Sequence, residues 1–222
     1  MRELDEWLTF IANQHSVGID MGLDRFHQVL RLLNLSRPAP QVITVAGTNG
    51  KGSTCVAAEA LLLAHGVSVG CTLSPHIRQF NERIRLNGAQ ASDASICSAF
   101  AAIEAARGDI PLTYFEFGAL AALYCMAAAK VQVAILEIGL GGRLDAFNAV
   151  DAQIAIITSI GLDHQAFLGD TLAAIGAEKA GILRAGQHVV LGQGMPTSVT
   201  AACEELALQP LQFDKHFFVE HH

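Results

Sequence analysis

At 222 residues, 51% of them hydrophobic and 16% charged, the chain has the size of one large domain, or of one domain plus a fragment, and excludes a disordered protein. Its net charge of −7 argues against a nucleic-acid partner, which would select a basic surface. No apolar run reaches the ~18 residues of a membrane span, and the opening MRELDEWLTF lacks the basic-then-apolar order of a signal peptide, so a cytoplasmic address is expected.

In chain order, residues 3–13 space Leu4, Trp7, Leu8 and Ile11 as one helical face, and residues 23–34 do the same with Phe26, Val29, Leu30 and Leu33. A loop over 16–22 joins them, and Pro38 and Pro40 then break the chain. From there strands are predicted over 42–45, 67–73, 131–138, 153–159 and 187–191, and helices over 54–65, 92–107, 115–130 and 171–183. Apolar strands alternating with helices predict an α/β fold, a mostly parallel sheet flanked by helices. Residues 1–40 are expected to be a helical segment packed on the core, and 41–222 the main ligand-binding domain. The cysteines, Cys55, Cys71, Cys97, Cys125 and Cys203, form no C-x-x-C pair and read as small buried apolar residues of a reducing compartment.

Parallel sheets hold ligands at the carboxyl ends of their strands. The chemically capable residues stand there, at 47–53, 74–76, 137–145 and 163–164. In the first group Gly47-Thr48-Asn49-Gly50-Lys51-Gly52-Ser53 joins a strand to an Ala- and Leu-rich helix. Glycines let backbone N–H groups point inward without Cβ clashes, and the helix start adds about half a positive charge. In such a cradle Lys51 would reach the outer phosphates of a nucleotide, and Ser53 or Thr54 would hold magnesium. Backbone amides also let an acidic chain bind an anion such as ATP. The spacing departs from G-x-x-x-x-G-K-[ST], and the bland alternative is a plain glycine-rich turn.

The string A-G-T-N-G-K-G-S resembles the phosphate loop of the Mur ligase superfamily, and the Gly after the Lys resembles its folylpolyglutamate synthase and dihydrofolate synthase branch. Ser74-Pro75-His76, Glu82-Arg83-Ile84, Thr113 to Glu116, Leu136 to Ala146, Thr158 to His164 and Glu178 to Ile182 resemble that branch too, so the likeness runs from Ser16 onward.

The resemblance implies a P-loop NTPase-like central domain and an ATP-dependent ligase that joins L-glutamate to the carboxylate of dihydropteroate or a folate through an acyl phosphate. It implies ATP and two Mg2+ ions. Gly47 to Thr54 would hold the nucleotide, Ser53, Ser74, Glu137 and His164 the metal, and Lys51, His164 and Lys179 would serve catalysis, Lys179 as a carbamylated lysine. Asp145 and Ala146 would meet a pterin, with Thr113 nearby and Phe115 offering a flat face. Phe147 stands where the family usually has Thr, and is expected to narrow the pterin pocket or alter its selectivity. Arg83 and Arg85 are read as salt-bridged surface residues or as part of the site. Members of the branch are monomers and carry a second, smaller domain that closes over ATP. Its motifs are not found here, so this piece is expected to turn over little alone. A cell-wall Mur-type ligase, a P-loop nucleotide hydrolase or switch, and a catalytically dead remnant are the alternatives.

Overall fold

The computed structural model describes residues 2–14 and 20–218; most of the predicted 16–22 loop lies outside them. Two helices, α1 (Leu4–Ala12) and α2 (Asp24–Leu32), precede β1 (Gln41–Ala46), α3 (Lys51–Ala64) and β2 (Val69–Thr72). A hairpin of β3 (Ile84–Leu86) and β4 (Ala89–Gln90) follows, then α4 (Asp93–Arg107), α5 (Tyr114–Ala129) and β5 (Val133–Glu137). The chain continues through β6 (Ile154–Ile157), α6 (Gln165–Leu168), α7 (Leu172–Ala180), β7 (His188–Leu191), α8 (Thr197–Glu205) and β8 (Leu211–Gln212).

The strands form one sheet in the order β4-β3-β2-β5-β1-β6-β7-β8. From β2 through β5, β1, β6 and β7 to β8 every pairing is parallel, whereas β3 pairs antiparallel with both β2 and β4 at the other edge. Central strands alternate between two cores, as the period of two requires. Val42, Ala46, Ala134, Leu136, Ala155 and Ile157 face one, and Ile43, Val45, Val133, Ile135, Ile154 and Ile156 face the other. The second core is closed by α3, through Cys55, Ala58, Leu62 and Leu63. The first is larger and takes in α1, α2, α4, α5, α7 and α8. The five cysteines are buried and free.

This fold differs from the sequence reading in the start of α3 and in five unanticipated elements. Helix α3 begins at Lys51, three residues before the expected Thr54, so the lysine belongs to the first helical turn. The β3–β4 hairpin, α6, α8 and β8 were not anticipated, and for the hairpin, α6 and β8 the reason is that two to four residues carry too little periodicity to stand out. The remaining predicted elements are present with ends displaced by a few residues.

Phe100, fully buried on α4, ties the larger core together. Its ring lies 5.6 Å from Phe80, 6.0 Å from Trp7 and 6.3 Å from Phe117, which joins α1, α5 and the turn before β3. Deleting that ring removes apolar contact with all three and leaves a cavity. Phe100→Ala is expected to lower unfolding stability by about 3–5 kcal/mol in urea titrations, with an unchanged slope; a loss below about 1 kcal/mol would contradict this packing.

Candidate active site

Strand β1 lies between β5 and β6, and the chain leaves it for β2 on one side and later reaches β6 on the other. The carboxyl end of β1 is therefore the switch point of the sheet, where a parallel α/β fold opens a crevice. The glycine-rich turn sits there. Gly50, the residue preceding α3, has φ +84°, a conformation that a side chain would oppose. It supplies no capping side chain, and the first turn of α3 contains no acidic residue. The opening N–H groups of this 14-residue helix thus face outward with the positive end of its dipole. Thr48 and Asn49 are pinned from β6's end: Ser159 accepts from both their amides, at 2.8 and 3.0 Å.

Two lysines converge on this turn. Lys51 Nζ donates to the carbonyls of Gly47 at 3.0 Å and Thr48 at 3.2 Å, and Lys179 Nζ, from α7, donates to the same Gly47 carbonyl at 3.0 Å. Neither ammonium lies within ion-pair distance of a carboxylate among the described residues. Lys179 is buried rather than on the surface. Burial, with the nearby charge of Lys51, pulls its pKa down to about 8. Against a net charge of −7 the turn is a local positive well.

Glu137, the last residue of β5, is also buried; desolvation raises its pKa while Lys51 and the Ser74 amide lower it. Its carboxylate accepts from Ser74 N at 2.7 Å, joining the ends of β5 and β2. Ser53 is exposed on the outer side of the same helical turn. His164 follows β6, with φ 47°, and its imidazole lies 3.6 Å from Asp163. Among the described residues no cluster of three His, Cys, Asp or Glu side chains is suited to a metal. Any ion between Glu137 and His164 would therefore take most of its ligands from hydroxyls, water or phosphate, a set that suits a hard cation.

Beyond Ser74 a cavity of about 320 Å³ opens, lined by Thr113, Phe115, Asp145, Ala146, Ser74 and His164 among others. Four sequence-predicted pterin residues thus share one chamber with two predicted metal residues. Asp145 is fully buried, and its carboxylate accepts from the amides of Gly139 (2.9 Å), Leu140 (3.0 Å) and Phe147 (3.0 Å). Burial outweighs those bonds and raises its pKa to about 6. Gly139 is required by the neighbouring ring: a Cβ there would lie 2.5 Å from Phe115.

Phe147 does not line the cavity. It packs against Phe115, ring centroids 5.9 Å apart and nearly perpendicular, so its bulk backs that ring instead of narrowing the chamber. Arg85 pairs with buried Glu59 at 2.8 Å, whereas Arg83 lines the cavity and has no carboxylate partner among the described residues.

Sequence reasoning singled out Glu116 as part of a motif but gave it no role. Thr113 Oγ1 accepts from Glu116 N at 3.2 Å, and Glu116 accepts from Thr113 N at 2.8 Å, which starts α5 with a capping box. The T-x-x-E spacing could have flagged it. Arg25 lies 2.9 Å from the same carboxylate and 2.6 Å from Asp20, tying α2 to the cavity wall. Nothing in the local sequence announces that long-range pair.

Comparison with known proteins extends this geometry. The model of the Mur ligase middle domain matches residues 45–196. The dihydrofolate synthase/folylpolyglutamate synthase of Escherichia coli K12 is 48% identical over 203 residues, covering 91% of this chain and 48% of the relative. A structure of E. coli FolC in complex with DHPP and ADP superimposes with a TM-score of 0.96 at 44% identity, over 100% of this chain and 54% of that one. A bifunctional folylpolyglutamate synthase/dihydrofolate synthase with Mn, AMPPNP and L-glutamate bound gives 0.93 at 47% identity, over 100% and 54%. The chain spans about half the length of the curated relatives it matches. With the glycine-rich turn at the switch point, the buried Glu137 and the family model spanning most of its length, the chain belongs to the Mur ligase family.

Proposed function

We propose that this chain is the nucleotide-holding part of an ATP- and magnesium-dependent ligase of folate biosynthesis, which joins L-glutamate to the carboxylate of dihydropteroate or a folate. The observation that carries this reading is the Gly47 carbonyl shared by two ammonium groups beside a largely apolar cavity. Relatives with ADP, AMPPNP, Mn, DHPP or L-glutamate bound support it.

The reaction has two steps. The carboxylate oxygen attacks the γ-phosphorus, the β–γ P–O bond breaks, and ADP leaves. The glutamate amine then attacks the resulting acyl phosphate, the C–O bond to phosphate breaks, and phosphate and a proton are released. The chain's contribution is positioning and charge neutralisation rather than covalent catalysis. In this reading Gly47 to Thr54 cradle the phosphates through backbone amides, and Lys51 swings from its carbonyl acceptors to the outer phosphates. Asp145 accepts from the polar edge of the pterin, Phe115 stacks on its face, and Thr113 and Ala146 complete the wall.

The donor set fits magnesium: a buried carboxylate at Glu137, hydroxyls at Ser53 and Ser74, and one imidazole at His164. Bound divalent ions would neutralise phosphate charge, and two positions are proposed, one beside Ser53 and Glu137 and one beside Ser74 and His164. Lys179, with its pKa near 8, has a substantial neutral fraction in mildly alkaline solution, the form that takes up carbon dioxide as a carbamate. A carbamate signal in 13C-bicarbonate NMR of the wild type, lost in Lys179→Arg, tests that role; equal spectra would refute it.

Two further outcomes are expected. Lys51→Met should weaken ATP·Mg binding by about tenfold to a hundredfold in calorimetry, the worth of a charge-assisted bond, with little change in melting temperature. Unchanged affinity would contradict the phosphate-loop reading. For Asp145 the sign follows from its raised pKa. The folded protein holds this proton below about pH 6, whereas the unfolded chain keeps the group ionised down to its ordinary 3.8. Ionisation of Asp145 therefore costs stability above pH 6 and supplies the acceptor that a pterin needs. Affinity for 6-hydroxymethyl-7,8-dihydropterin should fall as pH drops through about 6 in the wild type, whereas Asp145→Asn should bind weakly with a flat profile. A pH-independent wild type would exclude this role.

A further inference from the structure

Arg83 is a cation on the cavity wall whose charge the fold leaves unmatched. Its side chain is half-buried at the start of β3, and its backbone carbonyl accepts from Leu73 N at 3.1 Å, which sets it beside the Ser74 strand end. The guanidinium stands 5.8 Å from the Phe80 ring centre and 5.9 Å from that of Tyr114, next to the cavity residues Thr113 and Phe115. Nε donates to His76 Nδ1 at 2.7 Å, so that edge of the fork is fixed. The two η nitrogens, which present the bidentate edge, make no hydrogen bond to the described residues, and no carboxylate of those residues lies within ion-pair distance.

The other charged groups on this wall are balanced differently. Asp20 and Glu116 pair with Arg25, and Asp145 accepts backbone amides. Arg83 is the one Lys or Arg among the described lining residues. Burial lowers its pKa without approaching neutrality, so the charge is present at any working pH. A half-buried guanidinium held by a neutral acceptor and two aromatic rings, with its forked edge free in a cavity, matches a planar carboxylate.

We propose that Arg83 is a substrate-recognition residue, whose η nitrogens hold the carboxylate of the acid that occupies this cavity, with His76 as the residue that positions the fork. This rests on the reading of the cavity as a pteridine-acid site and adds which side chain recognises the acid end.

The test is direct binding, without nucleotide, of 7,8-dihydropteroate and of its methyl ester, which has the same body and no charge. Wild-type protein should prefer the acid. Arg83→Gln should lose affinity for the acid about tenfold or more while holding the ester within about twofold, erasing the preference. Arg83→Lys, which keeps charge and stem but not the fork, should fall between them. Pre-melting circular dichroism and the ester affinity report folding of each variant. Equal weakening of acid and ester would assign Arg83 a purely structural role and overturn the proposal, as would an acid preference unchanged in Arg83→Gln. Wild-type protein that binds neither compound would overturn the pterin reading itself and this assignment with it.

Discussion

Two ammonium groups donating to one carbonyl oxygen is a costly arrangement. Lys51 and Lys179 both end on Gly47, with no carboxylate within ion-pair distance among the described residues, and their repulsion contributes to the depressed pKa of Lys179. A polyanion at the helix start would relieve this repulsion by drawing Lys51 off the shared carbonyl and taking up the outward amides of α3, and the proposed carbamylation of Lys179 would remove the second positive charge. The rest of the molecule is arranged so that this well forms at one place. β1 carries the turn, α7 brings Lys179 to it across the sheet, and Ser159 at the end of β6 fixes the turn from the side.

The sheet then sets what surrounds the well. Because β2, β5, β1 and β6 run parallel and side by side, their carboxyl ends lie on one rim. Glu137 and Ser74 join across that rim by a single hydrogen bond, with Glu137 beside Gly52 of the turn and Ser74 on the cavity wall. Thr113, Phe115, Asp145 and Ala146 line the cavity, and buried rings behind them hold the wall in place. Charge is managed locally throughout. Asp20 and Glu116 share Arg25, Glu59 takes Arg85, and Asp145 accepts backbone amides. A net negative molecule can therefore present a positive crevice.

Much of this was legible in the residues. Apolar strands alternating with helices point to a parallel sheet, and G-T-N-G-K-G-S at a strand end points to a phosphate loop, because both patterns follow from backbone geometry over short spans. The gathering of Ser74, Asp145 and His164 followed from the rule that parallel sheets hold ligands at their strand ends, whereas Thr113 and Phe115, which start a helix, joined them only through family likeness. What escaped depended on long-range packing. Nothing near Phe147 says that its ring packs against Phe115 instead of entering the chamber. Nothing near Arg83 says that it lacks the partner Arg85 finds two residues on. Helix α3 starting at Lys51 was hidden because glycines on both sides of the lysine lower its helix propensity, which tertiary contact with the sheet overrides.

The central claim, a positive well at the start of α3 that binds a triphosphate, is tested most directly by backbone NMR during titration with ATP·Mg. The account predicts saturable shifts concentrated on the amides of Gly47 to Thr54 and around Lys179, with Glu137 and Ser74 following. Saturable shifts confined to another face of the sheet, with these amides unmoved, would contradict it.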